Sequence, residues 1–87
     1  MSDKPIVVDG IAVNVTADDF DDIEILELLA EVEQNGTKAV LLLKTLFGEE
    51  KYREIKEALR DKETGKTKTS KVMDWFGKVS EIVGAGN

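Results

Sequence analysis

Three segments of this 87-residue sequence hold residue types that do chemistry in other settings. Gly65-Lys66-Thr67 ends like a phosphate-binding loop, in which a glycine-rich turn aims backbone N–H groups at a phosphate and the lysine reaches its oxygens. Such a loop needs a glycine five residues before Gly65. Arg60 stands there, and no buried strand feeds the segment, so no nucleotide site is expected. Asp18-Asp19-Phe20-Asp21-Asp22 is dense enough in carboxylates to attract a divalent cation. A calcium loop, however, alternates its ligands around a central glycine and closes on a glutamate. Phenylalanine and isoleucine interrupt this run, which reads better as helix capping on a solvated acidic face. A small acidic helical chain also suggests an acyl carrier, whose prosthetic arm hangs from a serine in an Asp-Ser-Leu setting. Ser2, Ser70 and Ser80 are flanked by Met/Asp, Thr/Lys and Val/Glu, so that reading fails.

Cysteine and histidine are both absent. Disulfides, thiolate chemistry and cysteine-type zinc sites go with the first, and the commonest general acid–base and transition-metal ligand goes with the second. The expectation is a protein without catalytic residues, metal or cofactor. Its length allows one core and one domain, because two cores of half this size would each be too small to hold. The apolar share of 41% suffices for that core. The longest apolar run, Ala39–Leu43, lies between Lys38 and Lys44, far short of the roughly 20 residues of a membrane span. The opening Met-Ser-Asp-Lys-Pro carries no basic-then-apolar leader. A soluble, intracellular protein with no membrane partner is expected.

The net charge of −6 is unevenly divided. Residues 1–36 hold ten acids against Lys4 alone, a net of −9, and residues 37–87 hold eleven bases against eight acids, a net of +3. Nucleic-acid binding is disfavoured, since the basic stretch Lys62 to Lys71 is sparse and has no aromatic residues. The acidic half suits either simple solubility or a protein partner with basic residues.

The elements that would position these residues are mainly helical. Pro5-Ile6-Val7-Val8, Asp9-Gly10 and Ile11-Ala12-Val13-Asn14-Val15 predict a β-hairpin over 5–15, because both central residues of a two-residue turn need positive φ. Thr16, Asp18 and Asp19 can cap a first helix running from about Asp19 or Asp21 to Glu33, with Ile25, Leu28, Leu29 and Val32 on one stripe and Leu26 widening it. Asn35-Gly36 then ends it, with the glycine left-handed. Thr37 caps a second helix, Lys38 to Phe47, that has almost no polar face and should be the central helix of the core. Leu42, Leu43 and Leu46 are expected among its most buried residues. Gly48 separates it from a third helix through Arg60, where Tyr52, Ile55 and Leu59 face inward and Glu50–Arg53 and Arg53–Glu57 attract. Residues 19–60 thus make a three-helix core. Residues 61–69 (DKETGKTKT) read as a mobile loop, and Ser70 caps a fourth helix over 70–83. The fold class is a small single-domain bundle, mainly α, of about four helices with an N-terminal β-hairpin. Gly77 within the last helix is unfavourable by about 1 kcal/mol relative to alanine unless close packing requires it.

Val72, Trp75, Phe76, Val79, Ile82 and Val83 form a wide apolar stripe on that last helix. The stripe fits a core, since aromatics supply much burial in a small domain. On a helix tethered by a flexible loop it would also fit a partner segment. Val72, Trp75, Phe76, Val79 and Ile82 are therefore the candidate partner-binding residues.

Asp22-Ile23-Glu24-Ile25-Leu26-Glu27-Leu28-Leu29, the leucine-rich second helix and Leu46-Phe47-Gly48-Glu49-Glu50-Lys51-Tyr52-Arg53-Glu54-Ile55-Lys56 follow one another in an order that resembles the tail-assembly chaperones of long-tailed bacteriophages. Members of that family tend to read as an acidic Asp-x-Glu-Leu-Leu-Glu-Leu-Leu helix, a leucine-rich helix, then Leu-Leu-Gly-Glu-Glu-x-Tyr-x-x-(Leu/Ile)-(Lys/Arg). The resemblance covers somewhat under half the chain. Ile23 stands where an aromatic is frequent, and Phe47 where leucine is usual.

The resemblance implies a non-catalytic protein that binds the tape-measure protein, keeps that long coil soluble and helps recruit tail-tube subunits around it. Its partners would be the tape-measure protein and, further, the tail-tube protein, and homo-oligomerisation is compatible with the role. It also implies residence in the cytoplasm of the bacterial host, absence from the finished virion, and synthesis in two lengths by ribosomal frameshifting. The Gly84-Ala85-Gly86-Asn87 end, expected to be flexible, would suit a longer continuation. The rival expectation is a small acidic regulatory or adaptor protein, such as an anti-repressor or a nucleic-acid-mimicking inhibitor, that uses the −9 charge of residues 1–36 as its surface.

Overall fold

Asp9 and Gly10 sit at φ 54° and 79°, the pair of positive values that a two-residue hairpin turn requires. Residue 10 is glycine because a side chain is disfavoured there. The turn joins β1 (Ile6–Val8) to β2 (Ile11–Val13), antiparallel with Ile6 opposite Val13 and Val8 opposite Ile11. Period-two alternation sends Val8, Ile11 and Val13 into the core and leaves Val7 and Ala12 outside. A two-stranded hairpin is marginal alone in water, and here the last helix holds it: the Trp75 indole Nε1–H donates to the Val8 carbonyl at 3.0 Å.

The structure, a computed structural model, describes residues 5–84. It is mainly helical, with five helices after the hairpin: α1 (Ala17–Phe20), α2 (Ile23–Gln34), α3 (Lys38–Phe47), α4 (Glu49–Ala58) and α5 (Thr69–Val83). Helices α2 and α3 pack on each other, α3 on α4, and the hairpin lies against α5 and α4. The core joins Val8, Ile11, Val13, Val15, Phe20, Ile25, Leu42, Leu43, Ile55, Leu59, Trp75, Phe76 and Val79. Among the described residues no helix is long and apolar enough to cross a membrane.

Several expectations are corrected by this arrangement. The single first helix is two. In α1 the Asp19 carboxylate accepts from the Thr16 N–H at 2.8 Å, and the chain then leaves helical geometry at Asp21 and Asp22. Asp22 restarts it as N-cap of α2, its carboxylate accepting the Glu24 N–H at 2.9 Å. The break lets Phe20 turn inward and stack on Phe76, with ring centroids 6.0 Å apart. Phe20 is thus a core anchor inside a run of acids. Gly36 is not left-handed; among the described residues the positive-φ glycines are Gly10, Gly48, Gly65 and Gly84. The connection after α2 is instead closed by Asn35, whose side-chain oxygen accepts the Thr37 hydroxyl at 2.7 Å.

Helix α3 is not buried all round. Leu42 and Leu43 are fully enclosed, Leu46 is only half-buried, and Val40 and Leu41 are 42% and 49% exposed, because α2 and α4 cover only part of its circumference. On α4 the ion pairs are Lys51–Glu54 and Glu57–Arg60 rather than those expected through Arg53.

The segment expected to be a mobile loop is a closed turn. Asp61 N–H donates to the Lys66 carbonyl and Gly65 N–H to that of Asp61, each at 2.8 Å, and the Arg60 guanidinium donates to the Gly65 carbonyl at 2.9 Å. The Thr67 hydroxyl then ties the segment to α4 through the Lys56 carbonyl at 2.9 Å. Composition did not reveal this order because one of these bonds, Thr67 to Lys56, has a partner placed by α4. Helix α5 starts at Thr69, so Ser70 lies inside it and does not cap it. Residues 1–4 and the expected flexible tail at 85–87 lie outside the described residues.

Gly77 lies in mid-helix on α5, is exposed, and has nothing within 4 Å of where a Cβ would stand. Close packing therefore does not account for it. Gly77→Ala is expected to raise stability by about 1 kcal/mol, or roughly 4–8 °C in Tm for a domain of this size. Thermal melts followed by circular dichroism check this; a lower Tm would mean that the glycine answers to something other than helix propensity.

Candidate partner-binding cleft

Between the N-terminal half of α3, the middle of α4, the 61–68 turn and the first turn of α5 lies an open cleft of about 460 Å³. Ala39, Val40, Leu43 and Val72 give it apolar walls, and Gly36, Thr37, Tyr52, Lys56, Thr67 and Thr69 complete the lining. Each wall has a local cause. Val40 and Leu43 sit three residues apart and so share one face of α3, and Tyr52 and Lys56, four apart, do the same on α4. The Thr67–Lys56 hydrogen bond holds the turn against α4, so the cleft exists without an occupant.

One lysine lines the cleft and a second reaches its Tyr52 ring from outside the lining. The Lys56 ammonium lies 5.1 Å from the centroid of the Tyr52 ring and the Lys44 ammonium 5.6 Å from it, within the range of cation–π attraction. Among the described residues neither ammonium is in an ion pair. Lys38, at the start of α3, pairs with Glu31 at 3.5 Å. The arrangement offers apolar contact area beside two unneutralised cations.

The residues proposed from sequence are divided by the structure. Trp75, Phe76 and Val79 are in the core, Trp75 at 1% exposure and Val79 at none. The expectation that they present a surface to a partner is corrected: Trp75 is held by its bond to Val8 and by Phe47 at 5.7 Å, and Phe76 by Phe20 and by Phe47 at 6.3 Å. Only Ile82, 58% exposed, is on the outside, and Val72 is half-buried and lines the cleft. The remaining cleft residues were missed as a site, although Tyr52 and Lys56 belong to the motif quoted above. Their signal was the pairing of an aromatic with a lysine four positions on, opposite a helix with exposed valine and leucine.

Other candidates carry less. Among the described residues no group of three or more acids is placed to hold a metal ion. No described polar or charged residue is buried, so no acid or base there is desolvated in the manner of many catalytic groups. The acids of α1 and α2 are exposed and alternate with exposed Ile23 and Leu26.

In comparisons with known proteins, no family model, no curated protein and no solved structure matches the chain.

Proposed function

We propose that this protein is a non-catalytic chaperone of bacteriophage tail assembly, binding the tape-measure protein, keeping it soluble and helping to recruit tail-tube subunits. One observation carries the reading beyond the sequence resemblance. Tyr52 and Lys56, two positions of the Leu-Phe-Gly-Glu-Glu-x-Tyr-x-x-Ile-Lys motif, both line the open apolar cleft. A chaperone for a long coil needs an accessible apolar contact surface, and this cleft is one. Under this reading the protein works in the cytoplasm of the bacterial host, is absent from the mature virion and is free to form homo-oligomers.

The test is co-expression with the long coiled-coil protein of the same gene cluster. The expected outcome is a larger soluble fraction of that protein and its co-purification with this one. Equal insolubility with and without the chain would overturn the proposal. The rival reading, an acidic mimic of nucleic acid, is supported by the exposed carboxylates of α1 and α2. It predicts capture of a nucleic-acid-binding protein in a manner that Asp→Asn changes at Asp18, Asp19, Asp21 and Asp22 abolish.

A further inference from the structure

The division of charge along the chain has a spatial consequence at the cleft. Apart from uncharged Gly36, every lining residue belongs to the half that carries +3, whereas the −9 belongs to residues 1–36. Screening shortens electrostatic reach to about 8 Å at physiological ionic strength. A group entering the cleft therefore responds first to Lys56 and Lys44 around the Tyr52 ring, and less to the net charge of the chain. Val40, 42% exposed, keeps part of this apolar surface open to solvent. The volume of about 460 Å³ accommodates a few side chains and falls within the usual range of about 300–1,000 Å³ for binding clefts.

We propose that the α3–α4–α5 cleft docks an amphipathic helical segment of a protein partner that inserts apolar side chains against Val40, Leu43 and Val72 and sets flanking carboxylates beside Lys56 and Lys44. This rests on the reading that the protein acts by binding a protein partner, and it names the chemistry of that partner's docking segment: apolar residues with glutamate or aspartate beside them. The carboxylates are what distinguish it from an indiscriminate hydrophobic contact. Contact with the Tyr52 ring restrains each ammonium group and so lowers the entropy lost in forming the ion pairs.

The probe is a fluorescein-labelled, helix-forming peptide with leucines at i, i+3 and i+7 and glutamates beside them. A second peptide carries lysines in place of the glutamates. At physiological ionic strength the wild-type protein is expected to bind the glutamate peptide about tenfold more tightly than the lysine peptide, the scale of two partly exposed ion pairs. The double variant K44E/K56E should reverse that preference. Both positions are on the surface side of their helices, and K44Q/K56Q, which should abolish the preference, serves if the charge reversal harms folding. Methyl resonances of Val40, Leu43 and Val72 should shift on titration of the wild-type protein. Equal affinity for the two peptides, an unchanged preference in either double variant, or shifts confined to Ile23 and Leu26 would overturn the proposal. So would self-association that is lost in K44E/K56E, since a second copy would then be the occupant. If K44E/K56E keeps the tape-measure protein soluble as well as wild type does, this cleft assignment fails and the chaperone reading stands. If the wild-type protein fails that assay, the chaperone reading fails and the peptide titration still decides the cleft.

Discussion

Trp75→Ala is expected to remove most of the stability of this domain. The indole is 1% exposed, touches Phe47 and donates to the Val8 carbonyl at 3.0 Å. Truncating a buried aromatic to alanine costs about 3–5 kcal/mol, and the lost hydrogen bond adds about 1 kcal/mol. A domain of this length has roughly 4–13 kcal/mol in all. Because the indole is the buried polar link between α5 and the hairpin, the Lys78–Asp9 pair being exposed, β1 and β2 should lose protection along with it. Urea denaturation followed by far-ultraviolet circular dichroism measures the effect. Trp75→Phe separates the contributions: it keeps most of the apolar bulk and loses the donor, so a loss of about 1–2 kcal/mol is expected. A loss below about 1 kcal/mol for Trp75→Ala, the scale of surface changes, would return the indole to the partner-facing role that its place in the sequence first suggested.

The second large effect contrasts neighbours on α3. Leu42→Ala should lose about 2–5 kcal/mol, as should Leu43→Ala, because both side chains are enclosed in the core. Leu41→Ala, one residue away, should stay within about 0.5 kcal/mol, because Leu41 is half-exposed. Denaturant midpoints at constant m-value decide the matter. Comparable losses at Leu41 and Leu42 would mean that α3 is covered on all sides, either within the monomer or by another copy. The same contrast bears on function. Leu43 lies at the base of the cleft and Val40 on its wall, so a partner that fills the cleft should protect both without adding to the burial of Leu42.

Where sequence reading went astray, the cause was the same each time. Phe20 looked like an interruption in an acidic run because its partner, Phe76, is more than fifty residues away. The Trp75–Phe76 stripe looked available because a hydrophobic stripe has the same spacing whether it meets a core or a partner. The closure of the 61–68 turn was not legible because its tie to α4, the Thr67–Lys56 bond, joins residues eleven apart. The cleft was invisible because its walls are drawn from three helices and a turn.

Local chemistry was enough for the rest. The hairpin follows from β-branched residues around Asp9-Gly10, whose positive φ values are a property of the turn itself. Helices α3 and α4 meet at Gly48, at φ 91°, a conformation that favours glycine whatever surrounds it. The existence of α2 to α5, though not of the four-residue α1, follows from a periodicity that each segment carries alone. The sequence by itself therefore determined the mainly helical class, the order of its elements and the separation of an acidic half from a basic one. Tertiary structure alone decided which apolar face each helix buries, that Lys44 of α3 meets Tyr52 of α4, and that Trp75 belongs to the core. Periodicity defines a face, but burial depends on which other surface arrives to cover it, and that surface comes from residues distant in the chain.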